Sequence, residues 1–476
     1  MAKESNYYEY VYTNVNSNQI LQRNPDTDVA YIQIGNEIKE FATGGPYTVG
    51  AAIDVYVGDV WVMAGQSNMR GHGWLQDPYT LEDLTVPAEK GISLFNSSEV
   101  WTIASDPSHQ LYLSPRSVHH TLPDPTVREP GILKYRGASL GLAFAKEYIL
   151  WSKEHRDNKS VPVGLVACAH GGTTLADWKR PNVLDRDTAD TSLYGAMLHK
   201  IRKVGRIAGV LWYQGESDAT TFEAAKTYAA TFTRWQKDLQ MDVQNDSLPI
   251  VFVQIGPHRL DSAEMKENWC IVQQQQYSLF SARKHTAGVT SIDCALDDRL
   301  HLSAKGLTKI GKRMAEASMH AKEGNGPLLA FQLMSYQYAL SSDRVLCDKV
   351  APALYLYYNI EETNLKKAWL KNTVEEVYGF SIESEEKGVQ ILTATMNHKT
   401  TSIRLVLTKK PEKPIYVSYG INGVGVNVTL GRFTLPAFYR LKIMPLDTNN
   451  PTELTPVLDS NFVLNIENEH NITVRH

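Results

Sequence analysis

The chain has 476 residues, 48 Lys plus Arg against 52 Asp plus Glu, a formal net charge of −4, and 43% hydrophobic residues. That balance excludes wholesale disorder and gives enough apolar content for a sizeable core of two to three domains. It supplies no basic excess for neutralising phosphates, and no run of about 18 apolar residues exists to cross a membrane, so neither nucleic acid nor membrane is an expected partner.

The first 54 residues alternate polar with β-branched or aromatic residues, as in Ala30-Tyr31-Ile32-Gln33-Ile34, and carry Gly44-Gly45-Pro46 as a turn. They predict an N-terminal β-segment over 1–54. Met1 to Tyr12 lacks the basic flank and apolar run of a secretory signal, so a cytoplasmic location is expected, with a processed or phage-displayed protein as the alternative.

From residue 55 to 323 short apolar runs alternate with amphipathic segments. Val60–Ala64, Val161–Cys168, Ala208–Tyr213, Pro249–Ile255 and Val289–Cys294 read as strands. Gly137–Lys153, Ser192–Val204, Thr221–Leu239, Lys266–Arg283 and Ala304–Met319 read as helices. Strands that are apolar on both faces belong to a parallel sheet, so the pattern predicts an α/β fold, a three-layer sandwich. The Pro-, Ser- and His-rich stretch Gly71–Arg136 reads as loops on the working edge of the sheet.

Glu323-Gly324-Asn325-Gly326-Pro327 reads as a linker. Beyond it helical periodicity fades, and Leu328–Tyr338, Val374–Ile382, Gly388–Met396, Ser402–Leu407, Ile415–Tyr419 and Phe462–Ile466 read as antiparallel strands. A C-terminal all-β sandwich over 328–476 is expected. The four cysteines (Cys168, Cys270, Cys294, Cys347) have neither disulfide-framework nor zinc-type spacing; Cys168 and Cys294 read as small buried hydrophobes.

Four blocks follow strand ends, where open α/β sheets bind ligands. Gly65-Gln66-Ser67-Asn68-Met69 permits a tight turn that exposes a serine hydroxyl. Ala169-His170-Gly171-Gly172-Thr173 lets backbone N–H groups approach a substrate. Trp212-Tyr213-Gln214-Gly215-Glu216-Ser217-Asp218 offers the Gln214 amide as a donor. In Asp297-Asp298-Arg299-Leu300-His301 a turn can bring the Asp298 carboxylate to the His301 ring.

Together these blocks resemble the SGNH hydrolase superfamily (flavodoxin-like cores), specifically its carbohydrate-esterase branch, which includes sialate O-acetylesterases and acetylxylan esterases. The likeness runs from about Asp54 to Met319 and rests on GQSNM, CAHGGT, WYQGESD and DRLH in that order. Weaker likenesses lie in Gly45-Pro46-Tyr47, in Val417-Ser418-Tyr419-Gly420 and in Leu435-Pro436-Ala437-Phe438. One departure is Gln214 where the superfamily's name implies Asn.

The resemblance implies a carboxylic-ester hydrolase that removes O-acetyl groups from sugars. Ser67 would be the nucleophile, His301 the base and Asp298 its orienting acid. Ser67, Gly171, Gly172 and Gln214 would donate to the oxyanion. Gln66, Asn68, His72, His170 and Glu216 are candidates to line the substrate pocket, with His119 and His120 ranked lower, and Trp74, Trp101 and Trp178 as possible stacking platforms. No metal and no cofactor are expected, and the partner is an acetylated oligosaccharide or sialic acid. Homo-oligomerisation stays open, as do a xylan- or mannan-directed esterase, a lipase of the same superfamily, and a glycan-binding or phage-adhesion protein built on an esterase core.

Overall fold

A computed structural model describes residues 11–185, 187–280, 284–324, 332–343, 349–359, 376–397, 401–421, 426, 429–430, 433–445, 455–456, 463–467 and 471–475. Cys347, the first residues of the expected strand at 328–338 and most of the expected linker lie outside them.

The fold is mixed α/β, built on a nine-stranded and mostly parallel sheet. Its strands are β1 (Ile20–Gln22), β2 (Gly44–Val49), β3 (Ala52–Gly65), β4 (Ile92–Phe95), β5 (Trp101–Ile103), β6 (Val163–Ala167), β7 (Gly209–Tyr213), β8 (Ile250–Gln254) and β9 (Thr286–Thr290). The main path runs β9-β8-β7-β3-β6-β4-β5, with β1 and β2 on the first half of β3. Only β5 and β2 pair antiparallel with their neighbours. Residues 60–64, Val-Trp-Val-Met-Ala, are fully buried, because a central strand of such a sheet is covered on both faces. Helices α1 (Ser67–Arg70), α2 (Gly141–His155), α3 (Leu193–Val204), α4 (Phe222–Asp242), α5 (Ala263–Leu279) and α6 (Ala304–Glu323) fall between or after the strands.

Two elements differ from the sequence reading. Gly71–Arg136 is not all loop: Ile92–Phe95 is a buried strand parallel to β6, and Trp101–Ile103 pairs with it at the sheet edge. Both are too short to show periodicity, and polar turns flank them. The last strand lies at Thr286–Thr290 rather than Val289–Cys294, since the chain turns at Ser291 before α6.

Chain order places β6 on one side of β3 and β7 on the other, so the sheet switches direction at β3. A crevice at the carboxyl end of β3 is therefore the expected ligand position. Gly65 closes that strand at φ +131°, and a Cβ there would lie 2.1 Å from Tyr213 O. Only glycine lets β3 and β7 approach so closely before the chain turns into α1.

C-terminal strands form further antiparallel sheets. One has five strands, in the order Ile391–Asn397, Ser402–Leu407, Lys349–Asn359, Gln332–Asp343, Thr455–Pro456; another has three, Phe380–Ser384, Ile415–Tyr419, Phe438–Ile443. They join the α/β core in one apolar cluster. Ala437 and Gln254 exchange two hydrogen bonds, and the Tyr439 N–H donates to Gln274 Oε1 at 2.6 Å.

Candidate active site

Ser67 opens the single turn of α1, directly past β3. Its Oγ lies 2.9 Å from His301 Nε2, and His301 Nδ1 lies 2.8 Å from Asp298 Oδ2. Asp298 Oδ1 accepts the backbone N–H groups of Leu300 and His301, at 3.0 and 2.8 Å. Burial alone would raise the Asp298 carboxyl. The His301 ring and these N–H donors outweigh it and hold the group well below the usual carboxylate range. The three side chains that the sequence assigned to one site thus form one hydrogen-bonded chain, and an ionised Asp298 at neutral pH keeps the proton on His301 Nδ1. His301 Nε2 is then free to accept from the Ser67 hydroxyl.

His72 packs on this chain, its ring centroid 4.0 Å from that of His301. Its Nδ1 faces the Arg70 guanidinium at 3.2 Å, which can only donate, so Nε2 carries the proton. That Nε2 sits 3.6 Å from Asp298 Oδ2. Burial, then the neighbouring His301 and Arg70, push His72 down to about 3, so it is neutral. Among the described residues His72, Asp298 and His301 are the one grouping of ligand atoms close enough to hold a metal ion, within 4.8 Å of one another. The Arg70 and Arg136 guanidinium groups beside them disfavour a cation there.

The oxyanion candidates divide. Gly171 gives its N–H to Asp124 Oδ2 at 2.8 Å, contrary to the sequence expectation. Gln214 also differs from it. Its Nε2 lies 2.5 Å from Asp218 Oδ2, 2.9 Å from Thr173 O and 3.2 Å from Gln66 Oε1, so three acceptors take up a two-proton group. Among the described residues the N–H groups of Ser67 and Gly172 have no acceptor. Gly172 is exposed and lies at φ +71°, the left-handed region that suits glycine.

The expected pocket residues are mostly braces. Gln66 Oε1 also accepts the N–H groups of Gly215 and Ser217. Asn68 is buried, bonding to Glu216 and to the backbone of Leu300 and Leu302. Burial pushes the Glu216 carboxyl up to about 7, despite its bond from Asn68, and Asp218 up to about 6. His170 is fully buried against His119, with 3.1 Å between their Nδ1 atoms. His120 Nε2 donates to Ser114 O at 2.8 Å. Trp101 and Trp178 are core residues, and Trp74 lies under Arg136, whose guanidinium is 4.1 Å from the ring centroid. Cys168, Cys270 and Cys294 are buried free thiols.

Sequence reasoning missed Arg70, Asp124 and Arg136. Arg136 donates to His72 O at 3.1 Å and to Asp298 Oδ2 at 3.4 Å. Arg70 and Asp124 form a buried ion pair at 3.2 Å between α1 and the Gly171 turn. Arg70 directly follows the GQSNM block, which was a usable signal; Arg136 and Asp124 sit in the loop-rich stretch with none.

Residues 57–320 match the family described as carbohydrate esterase, sialic acid-specific acetylesterase. The chain belongs to this family. It is accordingly a carbohydrate esterase, a carboxylic-ester hydrolase. A probable carbohydrate esterase from Arabidopsis thaliana is 27% identical over 276 residues, 54% of this chain and 89% of that protein. Human sialate O-acetylesterase is 27% identical over 187 residues, 35% of this chain, and the match spans only 32% of the human protein. Among solved structures, a carbohydrate acetylesterase from Xanthomonas citri superposes with a TM-score of 0.58 at 18% identity, over 91% of this chain and 98% of that one, which speaks for a shared fold.

Proposed function

We propose that this esterase removes O-acetyl groups from acetylated sugars through an acyl-serine on Ser67, with O-acetyl sialic acids as its first substrate class. The observation that carries the reading is the continuous chain from Ser67 Oγ through His301 to Asp298. His301 Nε2 takes the hydroxyl proton as Oγ attacks the ester carbonyl. The N–H groups of Ser67 and Gly172 stabilise the tetrahedral oxyanion. His301 then gives its proton to the departing sugar hydroxyl, which leaves the acetyl group on Ser67. A water, deprotonated by His301, attacks the acyl carbon and releases acetate, and the proton returns to Ser67.

The fold that accompanies this reading is a three-layer SGNH-type core followed by a C-terminal β-sandwich; the N-terminal segment is part of the core, since β1 and β2 pair with β3 and the boundary expected at residue 54 falls inside that strand. The parallel order around β3 supports the core assignment.

The test is acetate release from p-nitrophenyl acetate, 9-O-acetyl sialic acid, and acetylated xylan and mannan fragments. Ser67→Ala is expected to abolish turnover and labelling by a fluorophosphonate. Undiminished acetate release by that variant would overturn the mechanism. Faster release from xylan or mannan fragments would keep it and move the substrate.

A further inference from the structure

We propose that Glu216, acting through Asn68, is a positioning residue for His301; the proposal rests on the reading of Ser67 and His301 as nucleophile and base. Asn68 stands one residue after Ser67 on α1. Its Oδ1 accepts the Leu302 N–H at 3.0 Å, and its Nδ2 donates to Leu300 O at 3.3 Å. Those two backbone groups flank His301. One side chain therefore ties the nucleophile's helix to both neighbours of the base.

The amide can do this in only one orientation. Flipped, it would set its NH₂ against the Leu302 N–H and its oxygen against Leu300 O. Glu216 holds the orientation by accepting the other Nδ2 proton at 2.6 Å. Glu216 is buried within the third block, and among the described residues its Oε2 has no hydrogen-bond partner. A buried carboxyl is costly, and the side chain that Glu216 serves is Asn68. It does not contact the base: His301 Nδ1 faces Asp298. Its influence must pass through Asn68, and what Asn68 needs from it is an acceptor rather than a charge.

The test compares kcat, KM and melting temperature of Glu216→Gln, Glu216→Leu, Asn68→Ala and the Asn68→Ala/Glu216→Leu double variant, on p-nitrophenyl acetate and on an acetylated sugar. Glu216→Gln keeps an acceptor at the Oε1 position and is expected to stay within about threefold of the parent in kcat. Glu216→Leu and Asn68→Ala are each expected to lose about 10²-fold in kcat with little change in KM, as a misplaced base would. The double variant is expected to lose no more than Asn68→Ala alone, because both act through one bond.

Three results would overturn the proposal: a Glu216→Gln loss as deep as that of Glu216→Leu, a near-parent kcat in a folded Glu216→Leu, or losses that multiply in the double variant. Should Glu216→Leu melt below the assay temperature, Asn68→Ala decides, since a near-parent kcat there overturns the proposal equally. Activity surviving Ser67→Ala would instead strike the underlying esterase mechanism.

Discussion

Asp298 serves several donors with its two oxygens. Oδ1 takes the Leu300 and His301 N–H groups, while Oδ2 faces the His301 ring, Arg136 and His72. This division fixes what Asp298→Asn would do. The two backbone donors require an oxygen at the Oδ1 position, so the new NH₂ must point at His301 Nδ1. The ring would answer by taking the other tautomer, with its proton on Nε2 against Ser67. A base that already holds its proton cannot take another, and kcat should fall by about 10⁴-fold, as the same exchange does in a serine protease triad. Steady-state kinetics check this, and a kcat within tenfold of the parent would contradict the tautomer argument. At this scale the sequence was informative about which residues meet, because each sits just beyond a strand end. It was silent on orientation. Nothing in WYQGESD says that the Gln214 amide turns back to Asp218 in its own block and across to Thr173 O, because that depends on how the fold brings the second block against it.

Among elements, the long apolar strands and helices could be read within a few residues, since burial on both faces leaves an unbroken apolar run. Four-residue Ile92–Phe95 could not, and neither could Lys349–Asn359 and Phe438–Ile443, where tyrosines, lysines and an arginine interrupt the pattern. The same limit hid the Pro123–Thr126 segment, which buttresses the Gly171 turn. Asp124 binds Thr126 and Arg70 as well as the Gly171 N–H. A Cβ on Gly171 would lie 2.3 Å from Asp124 Oδ2. Gly171→Ala must therefore displace either the aspartate or the turn that carries the Gly172 N–H. The expected result is a kcat loss of about 10²–10³-fold, the usual effect of removing one oxyanion donor. KM should change little. A parent-like kcat in Gly171→Ala would show that the turn does not donate.

On the scale of the molecule, the C-terminal sheets are tied to the site by a run of four buried glutamines. Gln274 accepts from Tyr439, Gln273 donates to Ile255 O, and Gln276 binds Ile255 N–H and Gln214 O. Four consecutive helical residues point in different directions, so the run carries no face of its own in sequence; only the tertiary fold shows its amides bonding backbone from three elements. Buried carboxyls also set how the whole fold responds to pH. Asp106, bonded to Ser139, is raised to about 7 by burial, beside Glu216 at about 7 and Asp218 at about 6. Each binds its proton more tightly folded than unfolded. Between about pH 4 and 7 these three groups therefore hold more protons in the native state, and their contribution to stability falls as pH rises through that window. Asp59 acts in the opposite sense. Burial would raise it, but Lys322 and Arg23 hold it far below its ordinary value, so its contribution is present above about pH 4 and lost only in stronger acid. Five buried histidines oppose the three carboxyls in the same window: burial pushes His72 and His109 down to about 3, His170 and His258 down to about 4, and His119 well below its ordinary value, so all five take up protons only on unfolding. They outnumber the carboxyls, so the melting temperature should rise from pH 5 to pH 7, and Asp106→Asn should steepen that rise because it removes one opposing group. Thermal melts of both proteins across the range test this. A melting temperature that falls over the interval would mean that the buried histidines do not stay neutral in the fold, and an Asp106→Asn slope equal to the parent's would mean that Asp106 does not take up a proton on folding.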